Sequence, residues 1–187
     1  MKMLITKQVI ILTILLTSAA FCAKWEKLGK FNGNEHFEYR VNSTDHRGEH
    51  SMIYILDIKP AGEDYEVSYT TKGKLTKSEL GLETAFGLWG AYGISLNMVV
   101  LNPMYMAFFP QLELQVGEKM SFFGAGLMKV VGEETIAGIK GYKVEFYQTQ
   151  NGEEKLVSEM TINPEIPLPL KSKIENSEAL LQVYRKN

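Results

Sequence analysis

Two histidines stand four residues apart in His46-Arg-Gly-Glu-His50, a spacing that could serve metal binding. On a helix this spacing places both imidazoles on one face, as many zinc sites do. Gly48 and the alternating segments on either side instead predict an exposed hairpin loop. His36 is a third imidazole, but it lies across a predicted strand. We therefore expect no metal site and no bound cofactor.

Patterns that would support catalysis are also weak. No serine lies in a Gly-x-Ser-x-Gly elbow, and the glycine-rich stretch 87–93 lacks the lysine of a phosphate-binding loop. Glu133 and Glu134 are adjacent, so on a strand they would point to opposite faces rather than form an acid–base pair. Cys22 is the single cysteine, which excludes a disulfide framework and a cysteine-rich zinc site. The sequence therefore predicts a protein that is not an enzyme.

The strongest chemical signal is an apolar segment, residues 84–112, that contains no formal charge. It is rich in aromatic residues and in methionine, whose flexible side chain adapts to varied apolar shapes. Its glycines, asparagines and prolines disfavour a continuous membrane-spanning helix. Two interpretations stay open: plain core that covers a sheet, or core that also lines a ligand cavity. The candidate cavity residues are Phe86, Leu88, Trp89, Tyr92, Met98, Met104, Met106, Phe108, Phe109, Phe122 and Met128.

Composition limits the class of protein further. The chain has 187 residues with 20 Lys+Arg against 22 Asp+Glu, a formal net charge of −2. A general nucleic-acid binder needs a basic excess, so we expect no nucleic-acid partner. Hydrophobic content of 45% and charged content of 22% are typical of one folded globular domain.

The N-terminal half shows the period-two alternation of β-strands. Phe37, Tyr39 and Val41 alternate with polar residues, and residues 65–69 repeat the pattern. The fuller apolar run at 52–58 lies between them. Short turns join these segments, which predicts a three-stranded antiparallel meander.

The C-terminal half repeats the strand pattern. Strands are predicted at 127–131, 142–147 and 156–162, and a last hairpin runs from Leu170 to Tyr184. Asn151-Gly152 predicts a two-residue hairpin turn, because both positions favour a positive φ, and places Val144 and Phe146 on the inner face. Three prolines between 164 and 169 predict a stiff, extended loop.

Residues 1–22 have the composition of a secretory signal peptide. Lys2 and Lys7 form a positive flank, residues 8–17 form an apolar core, and small residues follow. The apolar run is short for a membrane span, which needs about 20 residues. We expect cleavage near the end of this segment, although a retained N-terminal anchor stays open.

Cys22 leaves a third possibility, a lipoprotein that carries lipid on this cysteine. Such signals have a small residue directly before the cysteine, whereas Phe21 stands there. We therefore expect residues 23–187 to form a single periplasmic or secreted β-rich domain of a bacterial envelope.

Two stretches resemble a known pattern. Gly132-Glu-Glu-Thr-Ile-Ala-Gly-Ile-Lys-Gly-Tyr142 and Pro164-Glu-Ile-Pro-Leu-Pro-Leu-Lys171 are similar to stretches of bacterial envelope proteins that themselves resemble the lipoprotein carriers of the Lol pathway. The resemblance covers residues 120–185. It implies a half-open β-barrel that holds acyl chains on its concave face under a helical plug.

Together these patterns predict a mainly β fold: a strongly curved antiparallel sheet of roughly 8 to 11 strands. Residues 84–112 would form a helical or loop plug on its concave face. The expected function is non-enzymatic binding of an apolar ligand, a lipid or a lipoprotein acyl chain, without a transmembrane span in the mature chain. The alternative is an envelope structural or interaction module that has a filled core and a protein partner.

Overall fold

A computed structural model of the chain describes residues 23–45, 48–74, 108–122, 126–150 and 152–187. The predicted signal peptide and most of the apolar segment lie outside the described residues. Among the described residues, no helix is both long enough and apolar enough to cross a membrane.

Strands dominate the described residues, and one 3-10 helix, Phe109–Gln111, precedes the C-terminal half. The strands are β1 (Glu35–Asp45), β2 (Gly48–Ala61), β3 (Asp64–Gly73), β4 (Lys119–Phe122), β5 (Gly126–Ile136), β6 (Ile139–Gln150), β7 (Glu153–Ile162), β8 (Lys171–Ile174) and β9 (Ser177–Lys186).

The nine described strands form one antiparallel sheet in the order β3-β2-β1-β9-β8-β7-β6-β5-β4. This confirms the prediction of a mainly β fold built from 8 to 11 antiparallel strands. The sheet is open and uncurled. The strong curvature expected of a half-open barrel is not seen over these strands, and β3 and β4 are the two separate edges of the sheet.

The predicted hairpins are present in the expected register. Asp45 lies opposite Gly48 in the β1–β2 pair, which leaves two residues for the turn, as expected of a hairpin loop. Gln150 lies opposite Glu153 in the β6–β7 pair. Gly152 in that turn has φ 84°, which explains why glycine stands there.

Side-chain alternation gives the sheet one apolar and one charged face. On the apolar face, Phe37 lies opposite Leu56, and both side chains are buried. Val144 and Phe146 are also buried on this face, as the hairpin prediction required. The opposite face carries paired lysines and glutamates.

Two clusters of buried side chains cover the apolar face. In the central cluster, the proline loop between β7 and β8 contributes Ile166, Leu168 and Leu170, which pack on β1, β2 and β9. In the lateral cluster, the residues before β1 and β4 contribute the cover over β5, β6 and β7, namely Trp25, Phe109, Leu112 and Leu114.

Buried hydrogen bonds hold the proline loop against the sheet. The Trp25 indole Nε1 donates to the Ile166 carbonyl oxygen at 2.6 Å, and the Tyr39 hydroxyl donates to the Pro169 carbonyl oxygen at 2.8 Å. Burial raises the pKa of Tyr39 far above its ordinary value. The loop predicted as a stiff connection is therefore also part of the core.

Candidate functional site

The structure describes only part of the candidate cavity set. Phe109 and Met128 are buried together in the lateral cluster, and Phe108 packs against it. The backbone of Phe122 lies in β4, opposite Gly126, at the edge of the sheet. The remaining candidates, from Phe86 to Met106, lie outside the described residues.

Phe109 and Met128 are buried among other apolar side chains. The ring of Phe109 meets Trp25 edge-on, with 4.9 Å between centroids, and Phe146 edge-on at 5.5 Å. Such edge-to-face contacts each contribute about 0.5–1.5 kcal/mol beyond the area they bury. At this end of the sheet, the plain-core interpretation therefore accounts for the aromatic residues.

A different feature of the apolar face is two buried serines on neighbouring strands. Ser158 on β7 is 3% exposed and Ser172 on β8 is 1% exposed. Within the described part of the chain, neither hydroxyl oxygen has a hydrogen-bond partner. Because buried polar groups in proteins are almost always hydrogen-bonded, a neighbouring pair without partners needs an explanation.

The strand register places the two serines side by side. Ser158 lies opposite Phe146 and Ile174, and Ser172 lies opposite Met160 and Ala179. They are therefore diagonal neighbours across the β7–β8 pair, with Cα atoms about 7–8 Å apart by the geometry of such pairs. We call Ser158, Ser172 and Ala179 the serine seam.

The serine seam lies where the two apolar clusters meet. Met160 and Phe146 beside it belong to the lateral cluster, whereas Ala179 belongs to the central one. Each buried hydroxyl without a partner costs about 1–3 kcal/mol. Two such donors in apolar surroundings could satisfy an acceptor group of a bound molecule.

A buried carboxylate lies elsewhere on the apolar face, at the start of β1. Glu35 accepts hydrogen bonds from the Asn32 backbone N–H and the Tyr184 hydroxyl, both at 3.2 Å, and the Lys186 ammonium lies 3.6 Å away. Burial, and secondarily the Glu35 charge, raise the pKa of Tyr184 to about 12. These partners compensate the burial of the Glu35 carboxylate. The contacts with Tyr184 and Lys186 also join β1 to β9.

Ion pairs line the charged face. The Lys143 ammonium lies 2.7 Å from Glu159 and 3.4 Å from Glu145. The hydrogen bond between Lys143 and Glu159 raises the pKa of the lysine and lowers the pKa of the carboxyl. Both shifts favour the charged pair, which suits a solvated structural contact.

The adjacent carboxylates of β5 bind different lysines. Glu133 lies 2.7 Å from the Lys140 ammonium, whereas Glu134 accepts a hydrogen bond from the Thr161 hydroxyl and lies 3.8 Å from the Lys171 ammonium. As the sequence predicts, the two carboxylates do not form a pair with each other.

The histidines are distributed along the β1–β2 hairpin. His36 Nδ1 lies 2.7 Å from the Asp57 carboxylate across the two strands. His50 lies on β2 opposite Ser43, so the pair His46/His50 does not span a helix, and His46 lies outside the described residues. In the described ranges, no three histidine, cysteine or acidic residues are grouped to hold a metal ion.

Comparison with known proteins adds no relative. No protein-family model matches the chain, and neither the curated proteins nor the solved structures give a significant match. The resemblance to the Lol-pathway carriers therefore stays a hypothesis that rests on the two sequence stretches alone.

Proposed function

We propose that the chain is an exported, non-enzymatic binding protein whose ligand is an amphiphile. The ligand would have an apolar body and one hydrogen-bond-accepting end, such as a fatty-acid carboxylate or a lipid ester. Its polar end would lie at the serine seam and its apolar body along the covered face of the sheet. The observation that carries the proposal is the pair of buried hydroxyls of Ser158 and Ser172, for which the described part of the chain supplies no hydrogen-bond partner.

The composition of the surroundings supports this ligand class. Small-molecule sites are mostly apolar and contain a few placed polar groups that fix orientation. The serine seam has that composition, with Met160 and Phe146 beside two neutral donors. Diagonal neighbours could each donate to one oxygen of the same carboxylate. Methionine at the border suits apolar chains of varied shape.

Alanine variants test the role of the hydroxyls. We expect the wild type to bind a fluorescent fatty acid and Ser158→Ala/Ser172→Ala to bind it at least tenfold more weakly, about 1.4 kcal/mol. Because alanine removes two unsatisfied polar groups, the free energy of unfolding should stay the same or rise. Displacement titration and urea unfolding measure the two quantities, and the exposed Ser68→Ala is the matched control.

Two results would contradict the proposal. A wild type that binds no acyl probe would show that no amphiphile site exists. A double variant that loses stability and keeps wild-type affinity would show that enclosed water or protein groups satisfy the hydroxyls.

A second candidate function is a protein-interaction module. It is favoured by strand β3, an edge strand at which all ten residues are exposed. This surface lies at the sheet edge and is independent of the serine seam.

A further inference from the structure

Strand β3 extends the apolar face of the sheet, but none of the described residues cover it as they cover its neighbours. Tyr65, Val67 and Tyr69 are 48%, 41% and 62% exposed. Val67 and Tyr69 lie opposite Ile58 and Leu56 of β2, which are buried. The alternation of apolar residues therefore extends to β3, whereas the described side chains that cover the apolar face bury residues only as far as β2.

The backbone of β3 is also open to pairing. Among the described strands, β2 is its single neighbour, so the outer row of amide and carbonyl groups faces no strand. Natural proteins usually blunt such an edge with a very short strand, proline, a bulge or charged side chains, especially lysine. β3 carries charged side chains of both signs, Glu66 and Lys72 among them. β3 has ten residues without proline, and its register with β2 has no shift. The other edge, β4, has only four residues.

We propose that β3 pairs antiparallel with β3 of a second copy of this chain, about a two-fold axis at Tyr69. In this register Tyr69 faces its own copy, Val67 faces Thr71 and Glu66 faces Lys72. Because the interface is two-fold symmetric, each pair of unlike residues occurs twice in it. Two nine-stranded sheets then join into one.

Two properties of the sequence select this register. Residues opposite each other share a face, so only an axis that passes through a residue keeps both apolar faces on the same side. Axes at Ser68 and at Tyr69 align the strand equally well, but the axis at Tyr69 gives more acid–lysine pairs: Glu66 faces Lys72, and Asp64 faces Lys74. Opposite charges directly across a strand pair stabilise it.

Charge reversal tests the pairing. We expect the purified full chain to sediment as a concentration-dependent dimer. Lys72→Glu places glutamates opposite each other twice, and Glu66→Lys does the same with lysines, so each variant should dimerise at least tenfold more weakly. An equal mixture of the two variants should dimerise again, because each contact then joins Lys to Glu. Glu153→Lys on β7 and Lys24→Glu are controls that change the same charge outside the interface.

A cysteine pair tests the register itself. In a Cys22→Ser background, Tyr69→Cys should cross-link under mild oxidation, because a residue on the axis meets its own copy. Ser68→Cys should not, since Ser68 would face Thr70 of the other copy. Circular dichroism checks that each variant is folded.

The inference is overturned if the wild type stays monomeric up to about millimolar concentration, the range of very weak affinity. It is equally overturned if both single-charge variants dimerise like the wild type, if the mixture stays monomeric, or if Ser68→Cys cross-links as well as Tyr69→Cys. Glu66 lies opposite Lys59 of β2, whereas Lys72 lies opposite Ile53. Lys72→Glu is therefore the variant with the smaller effect on the monomer.

Discussion

At the scale of single residues, Gly141 shows how closely the sheet packs near the proline loop. A Cβ atom added to Gly141 would lie 2.8 Å from Thr161 Cγ2, 2.9 Å from the Ile162 carbonyl oxygen and 2.9 Å from Leu170 Cδ1. All three distances are shorter than real side chains accept. Glycine at this position is therefore required by the approach of neighbouring strands and not by a turn.

Gly141→Ala should destabilise the fold by about 1–3 kcal/mol, as overpacking a tight site does. Gly132→Ala on the preceding strand is the matched control, because a Cβ atom there meets nothing within 4 Å. Urea unfolding followed by circular dichroism measures both free energies. Equal unfolding midpoints for the two variants would contradict the packing argument.

At the scale of elements, the hairpin turns set the register of the strand residues next to them. The β6–β7 hairpin closes through two residues, and Gly152 has φ 84° within it. A positive φ is strained for a residue with a branched Cβ, whereas glycine adopts it freely. The turn sets the register from Gln150 to Tyr147, and a register shift between Tyr147 and Phe146 then brings Phe146 opposite Ser158, with Val144 and Phe146 buried on the apolar face.

Gly152→Val should lower the free energy of unfolding by roughly 1–2 kcal/mol, since the left-handed backbone crowds the branched side chain. Thr149→Val is the control, because it places the same side chain on an exposed strand position of β6. The urea midpoint is the measurement. If the Gly152→Val protein has the wild-type urea midpoint, glycine is not required at this turn and the turn assignment is contradicted.

At the scale of the whole molecule, β9 unites the two halves of the chain. It lies between β1 and β8 in the middle of the sheet, where Ala179 and Leu181 are buried. Burial raises the pKa of Tyr54 on β2 and of Tyr184 on β9 to about 12 from 10.0. Neighbouring groups, Tyr69 for the first and Glu35 for the second, act in the same direction.

These raised pKa values predict a loss of stability at alkaline pH. In the unfolded chain a tyrosine loses its proton near pH 10, whereas Tyr54 and Tyr184 keep it in the folded state up to about pH 12. Their contribution is therefore complete below pH 10 and is lost between pH 10 and 12. Tyr54→Phe/Tyr184→Phe should show a shallower fall in the free energy of unfolding over that window. Parallel pH profiles of the two proteins in urea unfolding would contradict this.

The sequence by itself was sufficient for the elements whose signals are local. The alternation of Phe37, Tyr39 and Val41 predicts β1 because side chains point alternately across any strand. The turn at Asn151-Gly152 is equally readable, since it depends on the backbone preference of two residues. In β7, Ser158 alternates in step with the apolar residues Met160 and Ile162. The position of Ser158 on the inner face could therefore have been predicted from the sequence.

Other features depend on contacts between distant parts of the chain, which no local pattern encodes. Only the tertiary structure pairs β1 with β9, buries Trp25 beneath the proline loop, and leaves β3 at the edge with Tyr69 exposed. Ser158 and Ser172 become neighbours only through the β7–β8 register. Whether a hydroxyl is satisfied depends on every atom within hydrogen-bond reach, and the packing of distant segments decides which atoms those are.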